Sequence, residues 1–171
     1  MTKPNGGEKM EIERKFLIDR FPDLPLKQES IVLQGYLSTE PVVRIRSTQT
    51  GNDTCYMLCF KGKGTLAREE IELELDEQTF ERLRGLLCAP MIRKDYKTYT
   101  LSDGRTLECN LVDAGEPSSF YYAEVEFSTI EEAKRFEPPA FLGREVTEEP
   151  GWSMGIYWRK KAEQFAKQSQ P

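Results

Sequence analysis

The sequence contains no histidine among its 171 residues. This absence excludes Ser-His-Asp and Cys-His catalysis, and it excludes zinc sites that use histidine ligands. Any acid–base or metal chemistry must therefore depend on carboxylates, lysines, tyrosines or water. A metal held only by carboxylates would be a hard cation such as Mg²⁺ or Mn²⁺.

Long apolar runs are absent as well. No run approaches the roughly 18 residues needed to span a bilayer, and the first ten residues lack the apolar region of a signal peptide. The net charge of -5 also disfavours nucleic-acid binding, which normally requires a basic excess. We expect a cytoplasmic monomer or homodimer with no membrane or nucleic-acid partner.

The cysteines are few and form no Cys-x-x-Cys pair. They are Cys55, Cys59, Cys88 and Cys109, and three of them lie in apolar text that is typical of strands. This pattern favours buried reduced thiols over disulfides or metal ligands.

The chain is long enough for one domain with a substantial core. We expect a flexible leader over residues 1–9 and a single domain over residues 10–171 that includes a C-terminal helix. Turn signals at "TGND" and "SDGR" predict two hairpins, and Asp76 and Thr129 are good N-caps for two helices. The whole pattern predicts about eight strands and three helices. It is an α+β arrangement, mainly β, with an antiparallel sheet or barrel and helices outside.

Charged residues recur at every second position of the predicted strands, so each group lies on one strand face. The groups are Glu11, Glu13 and Lys15; Arg44 and Arg46; Lys61 and Lys63; Arg68, Glu70, Glu72 and Glu74; Glu108 and Asn110; and Glu124 and Glu126. Strand by strand, these are typical of the solvated outside of an amphipathic sheet.

A second interpretation applies if the sheet closes into a barrel, because an enclosed face with repeated charge requires a ligand or counter-charges. Glutamate pairs could bind divalent cations through their oxygens. Arginine and lysine pairs could bind phosphate oxygens, arginine in a bidentate manner. Both sets on one inner wall would suit a metal-bound polyphosphate, although composition alone does not establish it.

The order of the motifs resembles that of a known family. "EIERKF" is similar to the Glu-x-Glu-x-Lys signature of the CYTH superfamily, the triphosphate tunnel metalloenzymes. The similarity continues through "QGYL", "VVRIR", "FKGKG", "REEIELEL", "LECNL", "YAEVEF" and "LGREVT", and it covers roughly residues 10–155. Eight motifs in sequence order are much more specific than one.

This resemblance implies an eight-stranded antiparallel β-barrel whose lumen is a charged tunnel, dependence on Mg²⁺ or Mn²⁺, and a triphosphate substrate. In particular, the chain resembles small bacterial members that hydrolyse inorganic tripolyphosphate. The implied catalytic residues are Glu11, Glu13 and Lys15. The implied substrate-binding residues are Lys15, Arg44, Arg46, Lys61, Lys63, Arg68 and Lys94. The implied metal ligands are Glu11, Glu13, Glu70, Glu72, Glu108, Glu124 and Glu126.

The chain departs from the family pattern at two positions of the predicted site. Tyr96 stands where an arginine is expected after Lys94, and Asn110 stands where an aspartate is expected after Glu108. These changes leave other functions open on the same fold, namely a class IV-type adenylate cyclase or a thiamine or nucleoside triphosphatase. A non-catalytic polyphosphate-binding module is a further alternative.

Two basic features have no role in this scheme. Arg14 faces away from the predicted tunnel, and we expect only a surface ion pair there. The cluster of Arg159, Lys160 and Lys161 lies on the predicted C-terminal helix. Such a cluster is usually a solvated helix end, and it could also cover one mouth of the tunnel.

Overall fold

The computed structural model describes residues 7–169, in which eight antiparallel strands form a closed barrel. The strands are β1 (Gly7–Ile18), β2 (Leu26–Thr39), β3 (Val42–Thr50), β4 (Asp53–Lys61), β5 (Ala67–Leu75), β6 (Ile92–Thr100), β7 (Thr106–Val112) and β8 (Phe120–Glu126). Around the barrel they follow the order β1-β5-β4-β3-β2-β6-β7-β8. The predicted fold class is confirmed.

Three α-helices pack outside the strands: α1 (Glu77–Arg84), α2 (Ile130–Arg135) and α3 (Met154–Gln168). A 3-10 helix, Pro150–Trp152, precedes α3. The predicted caps are present, because Asp76 accepts a hydrogen bond from the Thr79 amide at 2.7 Å and Thr129 accepts one from the Glu132 amide at 3.1 Å. Within residues 7–169, no helix combines the length and apolar character needed to cross a bilayer.

Two strands begin earlier than predicted. Strand β1 starts at Gly7, inside the predicted leader, because Gly7 to Ile12 pair with β5. The remainder of that leader, residues 1–6, lies outside the described residues. Strand β2 starts at Leu26, where the sequence predicts a connection, because its first residues pair with β6. In both cases, pairing with a strand that is distant in sequence extends the strand into residues whose own pattern does not predict one.

The outward strand faces carry most of the apolar core. Ile12 and Phe16 of β1 are buried under α2 together with Leu107, Val125 and Phe136. A second cluster joins α3 to the barrel through Met154 and Trp158, which pack with Tyr36 and Tyr122. These two tyrosines face the cavity, and the rest of the lumen is left mainly for polar side chains.

Strand β1 changes its neighbours halfway along its length. Its first half pairs with β5, whereas residues from Glu13 onwards pair with β8. Beyond Ile12, the edge of β1 that faced β5 is covered instead by residues 144–147. There the Leu17 amide donates to the Arg144 carbonyl, and the Val146 amide donates to the Lys15 carbonyl, both at 2.8 Å. The late "REVT" segment therefore completes the barrel wall beside β1.

Arg14 fastens this segment to α2. Its guanidinium donates to both carboxylate oxygens of Glu145, at 2.8 and 2.6 Å, and to the carbonyls of Ala133 and Phe136, at 2.9 and 2.7 Å. Only 14% of the side chain is exposed. The expected surface ion pair is thus half of a larger junction, which the alternation pattern could not show because α2 and residues 144–147 are distant in sequence.

We expect Arg14→Met to lower the free energy of unfolding by about 2 kcal/mol, because two helix carbonyls and a carboxylate lose charged donors. Urea unfolding measures this change. The matched control is Arg84→Met, which removes an exposed pair with Glu81 and should cost less than about 0.5 kcal/mol. Equal losses in the two variants would contradict the role of Arg14 as an anchor.

Candidate active site

The lumen of the barrel holds a cavity of about 780 Å³. Every residue predicted for the site lines it: Glu11, Glu13, Lys15, Arg44, Arg46, Lys61, Lys63, Arg68, Glu70, Glu72, Lys94, Glu108, Glu124 and Glu126. Glu74, which shares the strand period of Glu70 and Glu72, lies outside the lining set. The alternation therefore identifies the inward faces, while the chemical role of each residue remains a prediction.

One side of the cavity, which we call the acidic wall, consists of Glu13, Glu108, Glu124 and Glu126 on β1, β7 and β8. Glu13 lies opposite Glu126 in the strand register, and Glu108 lies opposite Glu124. Burial and the carboxylates of Glu124 and Glu11 raise the pKa of Glu13 to about 7. Burial and Glu124 likewise raise the pKa of Glu108 to about 7. A wall with this excess of carboxylate oxygen fits a hard divalent cation.

Lys15 lies within the acidic wall and pairs with Glu124 at 2.9 Å. Burial alone would lower the pKa of Lys15, but the carboxylates of Glu124 and Glu13 outweigh burial and raise it. An ammonium held in its charged form suits anion binding better than proton abstraction.

The opposite side, which we call the basic wall, consists of Arg44, Arg46, Lys61 and Arg68 on β3, β4 and β5. Glu11 reaches it from β1 and accepts from Lys61 at 2.7 and 2.8 Å and from Arg68 at 3.0 Å. Burial would raise the pKa of Glu11, but Lys61 and Arg68 hold it at about 2. Glu11 is therefore ionised at neutral pH.

The two arginines of β3 have their own counter-charges. Arg44 pairs with Glu70 at 3.6 Å, and Arg46 pairs with Glu72 at 3.1 Å. The Nε atoms of both arginines are nevertheless buried without a hydrogen-bond partner in the described structure. A buried donor without a partner is costly, so these atoms indicate a site for an additional acceptor such as a phosphate oxygen.

Cys59 is an inward residue outside the predicted site. It is fully buried, and its thiol donates to Glu70 at 2.9 Å. Its sulfur and one oxygen each of Glu70 and Glu72 lie within 4.8 Å of one another, close enough for one ion to reach all three. All four cysteines are free thiols, as expected, although Cys55 and Cys88 are exposed rather than buried. The position of Cys59 could have been predicted, since it shares the strand face of Lys61.

Lys94 differs from the other basic residues because its hydrogen-bond partner is neutral. It donates to the hydroxyl of Tyr122 at 2.7 Å, and Lys15 lies 4.6 Å from the centre of the same ring. Burial lowers the pKa of Lys94 to about 7. Tyr122 was also absent from the predicted site, although it lies on the same face of β8 as Glu124.

The two departures from the family pattern both face the lumen. Tyr96 and Asn110 line the cavity and lie opposite each other in the register of β6 and β7. Burial and the neighbouring Glu108 raise the pKa of Tyr96, so its hydroxyl stays protonated and donates to that carboxylate. Lys97 cannot replace the expected arginine, because it faces outward against Phe21 and Glu29.

Known proteins resemble this chain in both sequence and fold. It is 37% identical over 140 residues to an inorganic triphosphatase of Nitrosomonas europaea, and the match covers 81% of this chain and 90% of that protein. The crystal structure of an inorganic triphosphatase superposes with a TM-score of 0.62 at 32% identity, covering 86% of this chain and 93% of that one.

A more distant solved structure shares the fold. It is a putative adenylate cyclase from Bacillus halodurans, with a TM-score of 0.51 at 14% identity, covering 75% of this chain and 86% of that one. No protein-family model matches the chain.

The low pKa of Lys94 predicts a pH-dependent stability. At Lys94 the folded protein binds fewer protons than the unfolded chain between about pH 7 and the ordinary lysine value of 10.5. The free energy of unfolding of the wild type relative to Lys94→Met should therefore rise with pH in this window, by about 1 kcal/mol per pH unit. Urea unfolding without divalent cations, between about pH 7 and pH 9, tests this before tyrosines titrate. Parallel profiles for the two proteins would contradict a neutral buried amine.

Proposed function

The chain belongs to the CYTH superfamily of triphosphate tunnel metalloenzymes, and we propose that it catalyses divalent-metal-dependent hydrolysis of inorganic tripolyphosphate inside the barrel. The observation that carries this proposal is the division of one enclosed cavity into an acidic wall and a basic wall. We also propose that the enzyme acts in the cytoplasm on this small anion, without nucleic-acid or membrane partners.

The basic wall would bind the phosphates. A terminal phosphate carries about -1.5 to -2 charges at neutral pH, and guanidinium groups bind such groups in a bidentate manner. In the absence of substrate, Glu11, Glu70 and Glu72 act as counter-ions for this wall. Phosphate oxygens would replace these carboxylates as acceptors and would also engage the buried Nε atoms of Arg44 and Arg46. Lys15 and Lys94 would bind from the other side.

The acidic wall would hold Mg²⁺ or Mn²⁺ through Glu13, Glu124, Glu126 and Glu108. The raised pKa values of Glu13 and Glu108 reflect burial together with crowded negative charge, and a dication would relieve the latter. When bound, such a cation supplies charge stabilisation for the transferred phosphoryl group.

The remaining carboxylates, which lie among the basic side chains, would also take part in the reaction. Glu11, Glu70 and Glu72, once released from the basic side chains, would orient the attacking water or help to bind a second cation. Phosphoryl transfer depends mainly on positioning and charge stabilisation. The absence of histidine is therefore no obstacle to this reaction.

We expect Glu126→Gln to lower kcat/KM for tripolyphosphate by at least about 100-fold, because an oxygen ligand loses its charge. Phosphate release is measured with Mg²⁺ and with Mn²⁺. Glu74→Gln is the matched control, since it is the same isosteric change at an exposed residue outside the cavity lining. Unchanged turnover in Glu126→Gln would refute the proposed metal site.

A substrate panel separates this activity from the alternatives. Tripolyphosphate, pyrophosphate, ATP and thiamine triphosphate are each incubated with protein and metal, and both phosphate and cyclic AMP are assayed. Phosphate released preferentially from tripolyphosphate supports the proposal. Cyclic AMP from ATP would indicate a cyclase, and tight binding without turnover would indicate a polyphosphate-binding module.

A further inference from the structure

Helix α3 contributes a basic side chain to the cavity from outside the barrel. Arg159 lines the cavity together with Gly155 and Ile156, which precede it by about one turn. Residues three and four positions apart lie on the same side of a helix. This side of α3 therefore faces the cavity at the end formed by the β2–β3 turn and residues 62–65.

Among residues 7–169, Arg159 has no carboxylate counter-ion. In the described part of the chain, the basic residues of the basic wall and Lys15 all pair with glutamates, whereas neither Arg159 nor Lys63 forms an ion pair. Both are exposed at the same end of the cavity. This end therefore presents two positive charges that are available to an anion.

A buried carboxylate at the end of β7 binds α3 in addition to the apolar contacts of the helix. Asp113 is 6% exposed and accepts hydrogen bonds from Lys161 at 2.8 Å, from Tyr157 at 2.9 Å and from the Arg93 amide at 2.9 Å. It has a φ of 42°, in the left-handed region that is uncommon outside glycine. Such a backbone conformation persists where surrounding contacts hold it.

The two helix residues bound by Asp113 flank Arg159 in sequence. Tyr157 and Lys161 are four positions apart, so both point to the Asp113 side of α3, while Trp158 packs against Tyr36 at 6.0 Å between ring centres. These contacts fix the rotation of the helix about its axis. The direction of Arg159 relative to the cavity follows from that rotation.

We propose that Arg159 is a further substrate-binding residue, which contacts a terminal phosphate of tripolyphosphate at the α3 end of the cavity, and that Asp113 is the positioning residue for its helix. The proposal rests on the proposed function. A guanidinium at this end can bind a terminal phosphate through two donors. Because α3 is not among the strands that carry the acidic wall, the contact serves substrate binding rather than the chemical step.

We expect Arg159→Ala to raise KM for tripolyphosphate about tenfold and to change kcat less than about twofold, because binding is lost equally in the ground and transition states. Lys160→Ala is the matched control: it removes the neighbouring exposed charge, which does not line the cavity, and should leave both constants unchanged. Arg159→Lys should recover part of the loss. Equal KM values for Arg159→Ala and Lys160→Ala would overturn the assignment.

The role of Asp113 is tested by a double-mutant cycle. Asp113→Asn should raise KM in the wild-type background, and it should add little when Arg159 is already alanine, because it acts through that residue. Lys161→Met should behave in the same way. It breaks the same contact from the helix side, so it shows whether the result for Asp113→Asn comes only from a folding defect of that variant. Additive effects on KM would overturn the positioning role.

Calorimetric titration with tripolyphosphate in the absence of divalent cations separates this inference from the proposed function. Weaker binding by Arg159→Ala than by wild type supports the contact even if no hydrolysis occurs. Equal binding by both proteins overturns it even if both hydrolyse tripolyphosphate.

Discussion

Pairing of opposite charges inside a closed barrel is the constraint on which the rest of the structure depends. An ionised side chain in an enclosed space is strongly disfavoured unless a partner compensates for the lost hydration. Here Glu11 compensates Lys61 and Arg68, and Glu70 and Glu72 compensate the β3 arginines. The pair of Glu11 and Arg68 joins two neighbouring strands, whereas the other pairs reach across one intervening strand. Strand register and site electrostatics are therefore determined together. Most of the apolar core is consequently displaced to the outer faces, under the helices.

The same pairing explains why the cavity contains more carboxylates than a cation needs. The glutamates on the basic side keep its guanidinium groups ordered and ionised before substrate arrives, so binding exchanges one set of acceptor oxygens for another. The pairing is incomplete at two kinds of position. Within residues 7–169, the Nε atoms of Arg44 and Arg46 lack acceptors, and the hydroxyl of Tyr122 is the only hydrogen-bond partner of the Lys94 amine. These are the positions where an incoming anion gains most, since it satisfies groups that the protein leaves unsatisfied.

The sequence predicts most of the barrel and of the cavity because one simple rule, the two-residue period, acts on every strand. Tyr122 and Cys59 also obey the rule, but the period marks only the inward face and does not tell an uncharged side chain of the site from one of the core. Arg159 and Asp113 are different. Their places depend on how α3 packs across the end of the barrel, and no local period contains that information. The junction at Arg14 is of the same kind, since its partners follow it by more than 100 positions.

The change of neighbours along β1 has a consequence for folding. This strand precedes all the others, yet half of it pairs with β8 and its remaining edge is covered by residues 144–147. Contacts between such distant parts of a chain form slowly, so β1 spends part of folding with unpaired edges. Unpaired strands rich in apolar residues are prone to aggregate, and charged side chains oppose this. In β1 the alternation of Glu11, Glu13 and Lys15 keeps one strand face hydrated until the barrel closes, so residues that line the finished cavity also oppose aggregation before that closure.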